Sequence, residues 1–529
     1  MTSIGVIGSG HTGIAVAKKL VERGCRPIIL DVGETLDPTR QQLVERLSQQ
    51  PPSAWDRADA AEVSRNPTVS DRRPKRLAFG SEYVYASSRD AAPIVGSEWA
   101  PVPTFARGGF SVVWGAAMLP ADDCDIADWP IRRDDLAPYY QQVLEDLPLS
   151  AVDDALSRGF PLYKPDPESI DLEPGMRAFL NSLSKSQNSN GRDDVLWGQA
   201  RLAVRANRDA RGAGCSYCGL CLSGCVYGAI CTAEEELTRL ERTGQVDYRP
   251  GHLVRRLEDR EDKVIVTYDT VDGGRERVAL DRVFLAAGAI NSTRIILESK
   301  RLFNRSVILK STQGFVLPML RLRGAPIRWP NTNTLASVFL EFKIPGVSDH
   351  WVHTQVNPAN ELVMARLNFR PGRGHWRDRI LRPAFERLLI ALCNFHSDHA
   401  GGHVLTLRPA SAEGAGPLVI ETPPSDGFRR TARRGARRLC RLMANVGVLP
   451  LLPFIQGSYD KPWSWHFGGT MPMSSCPEGD MDTDLLGRPM GWSRVHVVDS
   501  SVFPSIPSTT LALLAMANAR RIAEKAPLG

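Results

Sequence analysis

Residues Ile4–Leu20 read IGVIGSGHTGIAVAKKL. A short apolar strand runs into Gly8, Gly10 and Gly13, spaced G-x-G-x-x-G, and a helix pattern follows with Ile14, Ala17 and Leu20 on one face. A second strand, Pro27–Leu30, ends in Asp31, 18 residues after Gly13. Each part has a physical task. Gly8 makes the tight turn, Gly10 lets the backbone approach a pyrophosphate, and Gly13 packs helix on strand. The helix N-terminus offers free N–H groups and the positive end of its dipole to phosphate. Asp31 accepts hydrogen bonds from ribose hydroxyls. A glycine-rich turn in some other α/β unit explains the glycines but not the acid at that distance. The stretch therefore predicts a dinucleotide-binding unit.

The remainder of the chain is bounded by its size and composition. A length of 529 residues allows two or three lobes. A hydrophobic fraction of 43% and a charged fraction of 23% are ordinary for a soluble globular protein. A net charge of +6 over this length singles out no partner, and no nucleic acid is expected. No run of 18 apolar residues predicts a transmembrane helix. The first strand begins almost at once, with neither a basic nor an apolar leader before it, so cytoplasmic residence is the expectation. Ten cysteines in that compartment point to thiols or metal rather than disulfides.

After Asp31 a polar excursion runs from Glu34 to Lys75, with one helical run near Arg40–Leu47. Phe79–Ala86 reads as a strand. Ala106–Leu119, ARGGFSVVWGAAML, sets paired glycines beside a serine and a tryptophan, which suits close backbone approach to a flat cofactor. It also fits an ordinary glycine turn before a buried segment. Helices are expected within Asp128–Leu147 and over Met176–Leu183. Cys215, Cys218, Cys221 and Cys225 follow the spacing C-x2-C-x2-C-x3-C, the run of bacterial ferredoxins, with Val226 in place of their proline and Cys231 as a further ligand candidate. An iron–sulfur cluster, a zinc or redox-thiol site and inert packed cysteines all remain open there. His252–Tyr268 reads as a strand pair. Val283–Leu297, VFLAAGAINSTRIIL, is a strand, a glycine turn and a helix, a second place where backbone meets a cofactor at a sheet edge.

Alternating segments at Phe315–Leu322, Leu335–Phe342 and Leu362–Phe369 predict an antiparallel sheet in a second lobe. Within this lobe, His396, Ser397, Asp398, His399 and His403 invite a metal or triad reading, but no nucleophile turn accompanies them, and pocket lining or surface polarity is the expectation. Arg429–Arg441 carries seven arginines, with Arg430, Arg434, Arg437 and Arg441 on one helical face and Ala432, Ala436, Leu439, Met443 and Val446 on the other. A solvated amphipathic helix is expected; a contact for phosphate or an anionic membrane is the sharper alternative. Near the end, Ser464–Met473 reads SWHFGGTMPM, and a strand at Val495–Val498 delivers Asp499 before a helix that starts near Thr510.

Together these motifs resemble the glucose–methanol–choline (GMC) oxidoreductases, a family of flavoproteins. Gly8, Gly10, Gly13 and Asp31 match the family's FAD-binding unit, although Glu is commoner at the acid position. ARGGFSVVWG and AAGAINSTRIIL are similar to its two signatures, WHFGGT to its H-x-x-G-T and VVDSSVFP to its V-V-D-x-S. The resemblance implies a mixed α/β chain: a Rossmann-like FAD-binding domain over residues 1–310 and 460–529, interrupted by the cysteine segment near 210–232, and a mainly antiparallel substrate domain over 311–459. It implies FAD contacts at Gly8, Gly10, His11, Thr12, Gly13, Asp31, Gly108, Gly109, Ser111, Trp114, Gly115, Val254, Ala287, Gly288, Asp499, Ser500 and Thr509. His466 becomes the catalytic base, with Trp463 and Trp465 beside it, and Ser508, which stands where the family usually carries a second His or Asn, becomes the second catalytic residue, its hydroxyl bonding the substrate hydroxyl. The implied activity is FAD-dependent dehydrogenation of an alcohol, with a sugar-like hydroxyl favoured. Electrons would leave singly through a cluster on Cys215, Cys218, Cys221 and Cys225 to a protein or quinone acceptor. An oxygen-using oxidase, an NAD-linked dehydrogenase and a non-catalytic flavin carrier are the alternatives.

Overall fold

The structure is a computed structural model. It describes residues 2–63, 79–85, 92–97, 100–187, 193–208, 212–222, 224–327, 333–359, 376–410, 415–455 and 464–528. The expected strand at Leu362–Phe369 and Trp463 lie outside these residues.

Four sheets carry the described chain. The first is entirely parallel, in the order Val495–Val497, Arg282–Leu285, Ile4–Ile7, Ile28–Leu30, Asp247–Arg249. Parallel strands need both faces covered, and these read as near-continuous Val, Ile, Leu and Phe. The helix His11–Glu22 covers one face, with Val16, Ala17 and Leu20 fully buried. Burying each larger side chain contributes roughly 1.5–3 kcal/mol. That helix packs against the terminal helix Leu511–Lys525, which in turn packs on Arg133–Asp146. A three-stranded antiparallel sheet, His252–Asp259, Val264–Thr270 and Arg275–Leu280, inserts before the Arg282–Leu285 strand.

The third sheet orders Phe467–Gly468, Ser306–Ser311, His403–Pro409, Ala415–Glu421 and Ile94–Gly96. The fourth has six antiparallel strands: Val448–Pro450, Gln313–Arg321, Leu388–Phe395, Ser348–Pro358, Val338–Ile344 and Val195–Gln199. Sheet membership cuts across the chain. Val195–Gln199 arrives from far upstream, whereas His403–Pro409 and Ala415–Glu421 leave the middle of the chain to pair beside Ser306–Ser311.

Side chains alternate across a strand, so the six-stranded sheet has two distinct faces. Leu317, Leu340, Phe342, Val356, Ala391 and Cys393 on one face form a single core with Phe428, Ala432, Leu439 and Met443 of the helix Asp426–Ala444. That helix is the arginine-rich stretch. Its apolar stripe is buried, most of its arginines are exposed, and Arg438 pairs with Asp194 at 2.5 Å, as expected of a solvated amphipathic helix. Among the described residues no helix is long and apolar enough to cross a membrane.

One local expectation fails. Residues 82–85, read as part of a strand, form a helical turn, and Val84 N–H donates to Ser81 O at 3.0 Å. Alternation over so few residues does not separate a strand from one helical turn.

Candidate active site

A cavity of about 610 Å³ opens where the parallel sheet meets the six-stranded one. Four strands of the parallel sheet end on it. Ile4–Ile7 delivers Gly8 and Gly10, Ile28–Leu30 delivers Asp31, Arg282–Leu285 delivers Ala287 and Gly288, and Val495–Val497 delivers Asp499. In parallel α/β sheets, ligands bind beyond the carboxyl ends of the strands.

The glycines fit a pyrophosphate. A Cβ on Gly10 would project into open space, its nearest neighbour being Gly109 Cα at 4.0 Å. At Gly8, whose φ is +96°, a Cβ would meet Ala286 O at 2.6 Å, and at Gly13 it would meet Gly8 O at 2.0 Å. No side chain caps the helix that starts at His11, so its first N–H groups are left for an anion. His11 Nε2 is buried without a partner, and burial lowers this imidazole from 6.5 to about 4. Its ring lies 4.2 Å from that of Trp114.

Asp31 is buried, and burial raises its pKa to about 6 against the opposing pull of Ser9, Tyr248 and Arg107. Its carboxylate accepts from Ser9 Oγ and, at 3.3 Å, from the Tyr248 hydroxyl. Ser9 Oγ also accepts from Gly108 N at 2.9 Å, which seats the paired glycines on the first turn. Ser111 Oγ donates to Gly108 O at 2.6 Å and accepts from Ala233 N at 2.9 Å. Asp499 serves the protein itself. It accepts from Gly288 N at 3.0 Å, Ser292 Oγ at 2.5 Å and both the N–H and hydroxyl of Ser501. Its task is to lock the Gly288 turn in place, and burial raises its pKa.

Of the residues expected from sequence, Gly8, Gly10, His11, Thr12, Asp31, Gly109, Ser111, Trp114, Gly115, Val254, Ala287, Gly288, His466, Asp499 and Ser500 line the cavity. Gly13 and Gly108 support it from behind. His466 is held by its backbone, which accepts from Thr312 N at 3.1 Å and donates to Ser464 Oγ at 2.9 Å. Its Nδ1 has no partner. Burial, helped by nearby His353, lowers the imidazole from 6.5 to about 4, so it is neutral at neutral pH. Trp465 lines the cavity beside it.

Ser508 and Thr509 are not among the residues that line the cavity. Both are buried, and the Ser508 hydroxyl donates to Trp351 O at 2.5 Å. A hydroxyl spent on a strand carbonyl is not available to a substrate. Sequence reasoning missed the opposite wall: Gln355, Asn357, Ile390, Leu392, Asn394 and Val316, all on the cavity face of the six-stranded sheet. The period-2 pattern of Val352–Asn357, with His353, Gln355 and Asn357 alternating against Val352, Thr354 and Val356, is the signal that marks it.

The cysteines stand apart from this cavity. Cys215, Cys218, Cys221 and Cys225 line a separate pocket of about 20 Å³ with Asn333 and Tyr227. All four are free thiols. Cys215 Sγ accepts from Asn333 Nδ2 at 3.7 Å and Cys225 Sγ from Ala229 N at 3.2 Å. Burial raises the thiols of Cys215 and Cys225 and pushes that of Cys221 up to about 12. Among the described residues, three ligand atoms come within 4.8 Å of one another at His350, His396 and Asp398, and the cysteines form no such group. The expectation of an iron–sulfur cluster on them is therefore not supported. Thiols partnered by Asn333 and Ala229 need no metal. Cys231 sits outside the small pocket.

The histidine-rich stretch is a proton-sharing cluster. His396 stacks on His350 with centroids 3.7 Å apart and planes 11° apart. His350 lies between Asp125 Oδ1 at 3.5 Å and Asp398 Oδ2 at 3.3 Å, whose charges outweigh burial and raise it to about 9. Parallel rings set their lone pairs side by side rather than toward one centre, so an imidazolium between two carboxylates explains the group better than an ion. His403 bonds Thr422 Oγ1 at 2.9 Å.

Comparisons with known proteins agree with this geometry. Residues 405–519 match the family model described as GMC oxidoreductase. A 2-methyl-1,2-propanediol dehydrogenase of Mycolicibacterium austroafricanum is 22% identical, the alignment covering 97% of this chain and 94% of that one. The crystal structure of pyridoxine 4-oxidase from Mesorbium loti superposes with a TM-score of 0.60 at 16% identity over 99% of both chains. Residues 405–519 are thus similar in sequence to the glucose–methanol–choline oxidoreductases, and the chain over nearly its whole length shares the fold of pyridoxine 4-oxidase.

Proposed function

We propose that the chain is a dehydrogenase that oxidises the hydroxyl of a polyol or sugar-like alcohol to a carbonyl, with His466 as the base. The observation that carries this reading is a neutral, unpartnered imidazole in one wall of a cavity whose other walls are a nucleotide cradle and a polar sheet face. Gly8, Gly10, the first turn at His11 and Thr12, and Asp31 hold FAD by its pyrophosphate and ribose. Gly109, Ser111, Ala287 and Gly288 meet it with backbone or small side chains. When bound, FAD supplies the acceptor for the carbinol hydride. His466 takes the hydroxyl proton, a role that contributes about 10² to 10⁴ in rate. Gln355, Asn357 and Asn394 orient the substrate's other polar groups, and Trp465 offers a flat apolar surface. The diol and pyridoxine named for the relatives are both hydroxyl compounds and are the first substrates to try.

An anaerobic screen of diols, sugars and pyridoxine, read as bleaching of flavin absorbance, tests the proposal. Bleaching by an alcohol supports it, and no bleaching by any of them ends it. The electron acceptor divides dehydrogenase from oxidase: fast hydrogen peroxide production under air would assign the oxidase. A cluster on Cys215, Cys218, Cys221 and Cys225 would require the loop to close around iron, and iron and acid-labile sulfide assays on anaerobically prepared protein decide it.

A further inference from the structure

Beside the polar wall lies a buried hydrogen-bonded pair that none of the steps above uses. Glu341 and His353 are direct partners across adjacent strands of the six-stranded sheet. Both side chains are fully buried, and His353 Nδ1 lies 2.6 Å from Glu341 Oε1. Phe339 packs edge-on against the imidazole with centroids 4.9 Å apart, which fixes the ring plane. On the far side of the ring, His353 Nε2 lies 3.1 Å from Gln355 Nε2. Gln355 lines the cavity with His466.

With the Gln355 amide nitrogen toward the ring, the contacts allow one proton arrangement on His353. An amide nitrogen has two N–H donors and no lone pair to give. A 3.1 Å contact between it and an imidazole nitrogen is a hydrogen bond only if the imidazole accepts. His353 Nε2 is therefore bare, Nδ1 carries the proton, and Glu341 Oε1 accepts it. With its nitrogen held by His353, the Gln355 amide turns its oxygen away from the ring. Burial pushes the Glu341 carboxyl up, and the His353 N–H is what works against that push. Glu341 Oε2 has no partner, so the carboxyl group rests on this one bond.

We infer that Glu341 and His353 are positioning residues that fix the orientation of the Gln355 amide, so that Gln355 presents an acceptor oxygen to a hydroxyl or N–H donor of the substrate. The inference rests on the alcohol-oxidising reading and adds its recognition rule: the cavity selects substrates with a second donor group next to the reacting hydroxyl. The amide carries the specificity, and the buried pair sets its sense. If His353 carried its proton on Nε2, the amide would be held by its oxygen and would present N–H groups instead.

Two measurements test the inference separately. The first needs no substrate. In holoenzyme labelled with ¹⁵N-histidine, the His353 resonances, assigned by their loss in His353→Gln, are expected to show a protonated Nδ1 and a bare Nε2 at neutral pH. Protonation at Nε2 overturns the inference. The second is a variant cycle with 2-methyl-1,2-propanediol and pyridoxine as probes, using whichever reduces the flavin. Gln355→Met is expected to weaken probe binding about tenfold, the scale of one neutral hydrogen bond. Glu341→Gln is expected to weaken binding in the parent and to add nothing in the Gln355→Met background. Equal losses from Glu341→Gln in both backgrounds overturn the inference, because a merely structural role would add. If neither probe nor any other alcohol reduces the flavin, the alcohol-oxidising reading fails by itself and the histidine spectrum alone decides the pair.

Discussion

The nucleotide cradle and the polar wall face each other across one cavity, and they are written in the chain in opposite ways. The cradle works through backbone. It needs glycine where a Cβ would strike Ala286 O or fill the space beside Gly109, and the demand recurs at fixed offsets that a reader can count. The wall works through side chains from three different strands, Gln313–Arg321, Ser348–Pro358 and Leu388–Phe395, brought together by antiparallel register. Gln355 faces Leu392, and His353 faces both Glu341 and Asn394. No local spacing records that arrangement. A site built on backbone geometry leaves a motif; a site built on pairing between distant strands leaves only alternation.

Substitutions on the two sides break this comparison at different points. The largest effect is expected at the cradle. Gly10→Leu fills the open space with a side chain and should abolish FAD binding, giving folded but colourless protein by absorbance and circular dichroism. A yellow variant would show that backbone approach at Gly10 is not needed. Next comes the hinge between the two walls. His466→Ala should retain flavin and slow its reduction by an alcohol by about 10² or more in stopped flow. Reduction at the parent rate would move the base elsewhere.

The apolar back of the six-stranded sheet should answer in stability alone. Phe342 is fully buried there, and Phe342→Ala is expected to cost about 3–5 kcal/mol in denaturant unfolding, with the cavity side unchanged in flavin spectrum. A subtler test uses pH. Neutral His466 is the competent form, and burial places its pKa near 4 rather than 6.5. The acid limb of kcat/KM should therefore fall only as pH drops through about 4, and a limb near 6.5 would mean that the imidazole is better solvated than the cavity wall implies. The smallest effect is expected at Ser508. Its hydroxyl is committed to Trp351 O, so Ser508→Ala should change the rate of flavin reduction by less than about threefold and lower stability by about 1 kcal/mol.

The legible parts of the molecule follow the same division. The first strand, turn and helix, the acid at Asp31, the Gly288 turn and His466 all sit in short segments whose function needs particular residues at particular offsets. Position in a motif does not say where the Ser508 hydroxyl points, and only the fold brings Trp351 within its reach. The ferredoxin-like spacing of Cys215–Cys225 likewise describes intervals along the chain. In three dimensions the sulfurs are shared out to separate partners such as Asn333 and Ala229. Residues 82–85 were too short a segment for alternation to mean strand. Glu341, His353 and Gln355 were invisible for a better reason: their partnership exists only once two strands have paired.

The parallel sheet also sets a timetable. Its central strand, Ile4–Ile7, leaves the ribosome long before its edge strand, Val495–Val497. Asp499 follows that edge strand and accepts the bonds from Gly288 N and Ser292 Oγ. Chains grow at about 5–20 residues per second, so an unfinished nucleotide site waits tens of seconds for its last member. FAD capture is therefore expected only once Val495–Asp499 has been made. A nascent chain arrested before Val495 would carry the whole G-x-G-x-x-G unit and still be unable to close the cofactor site.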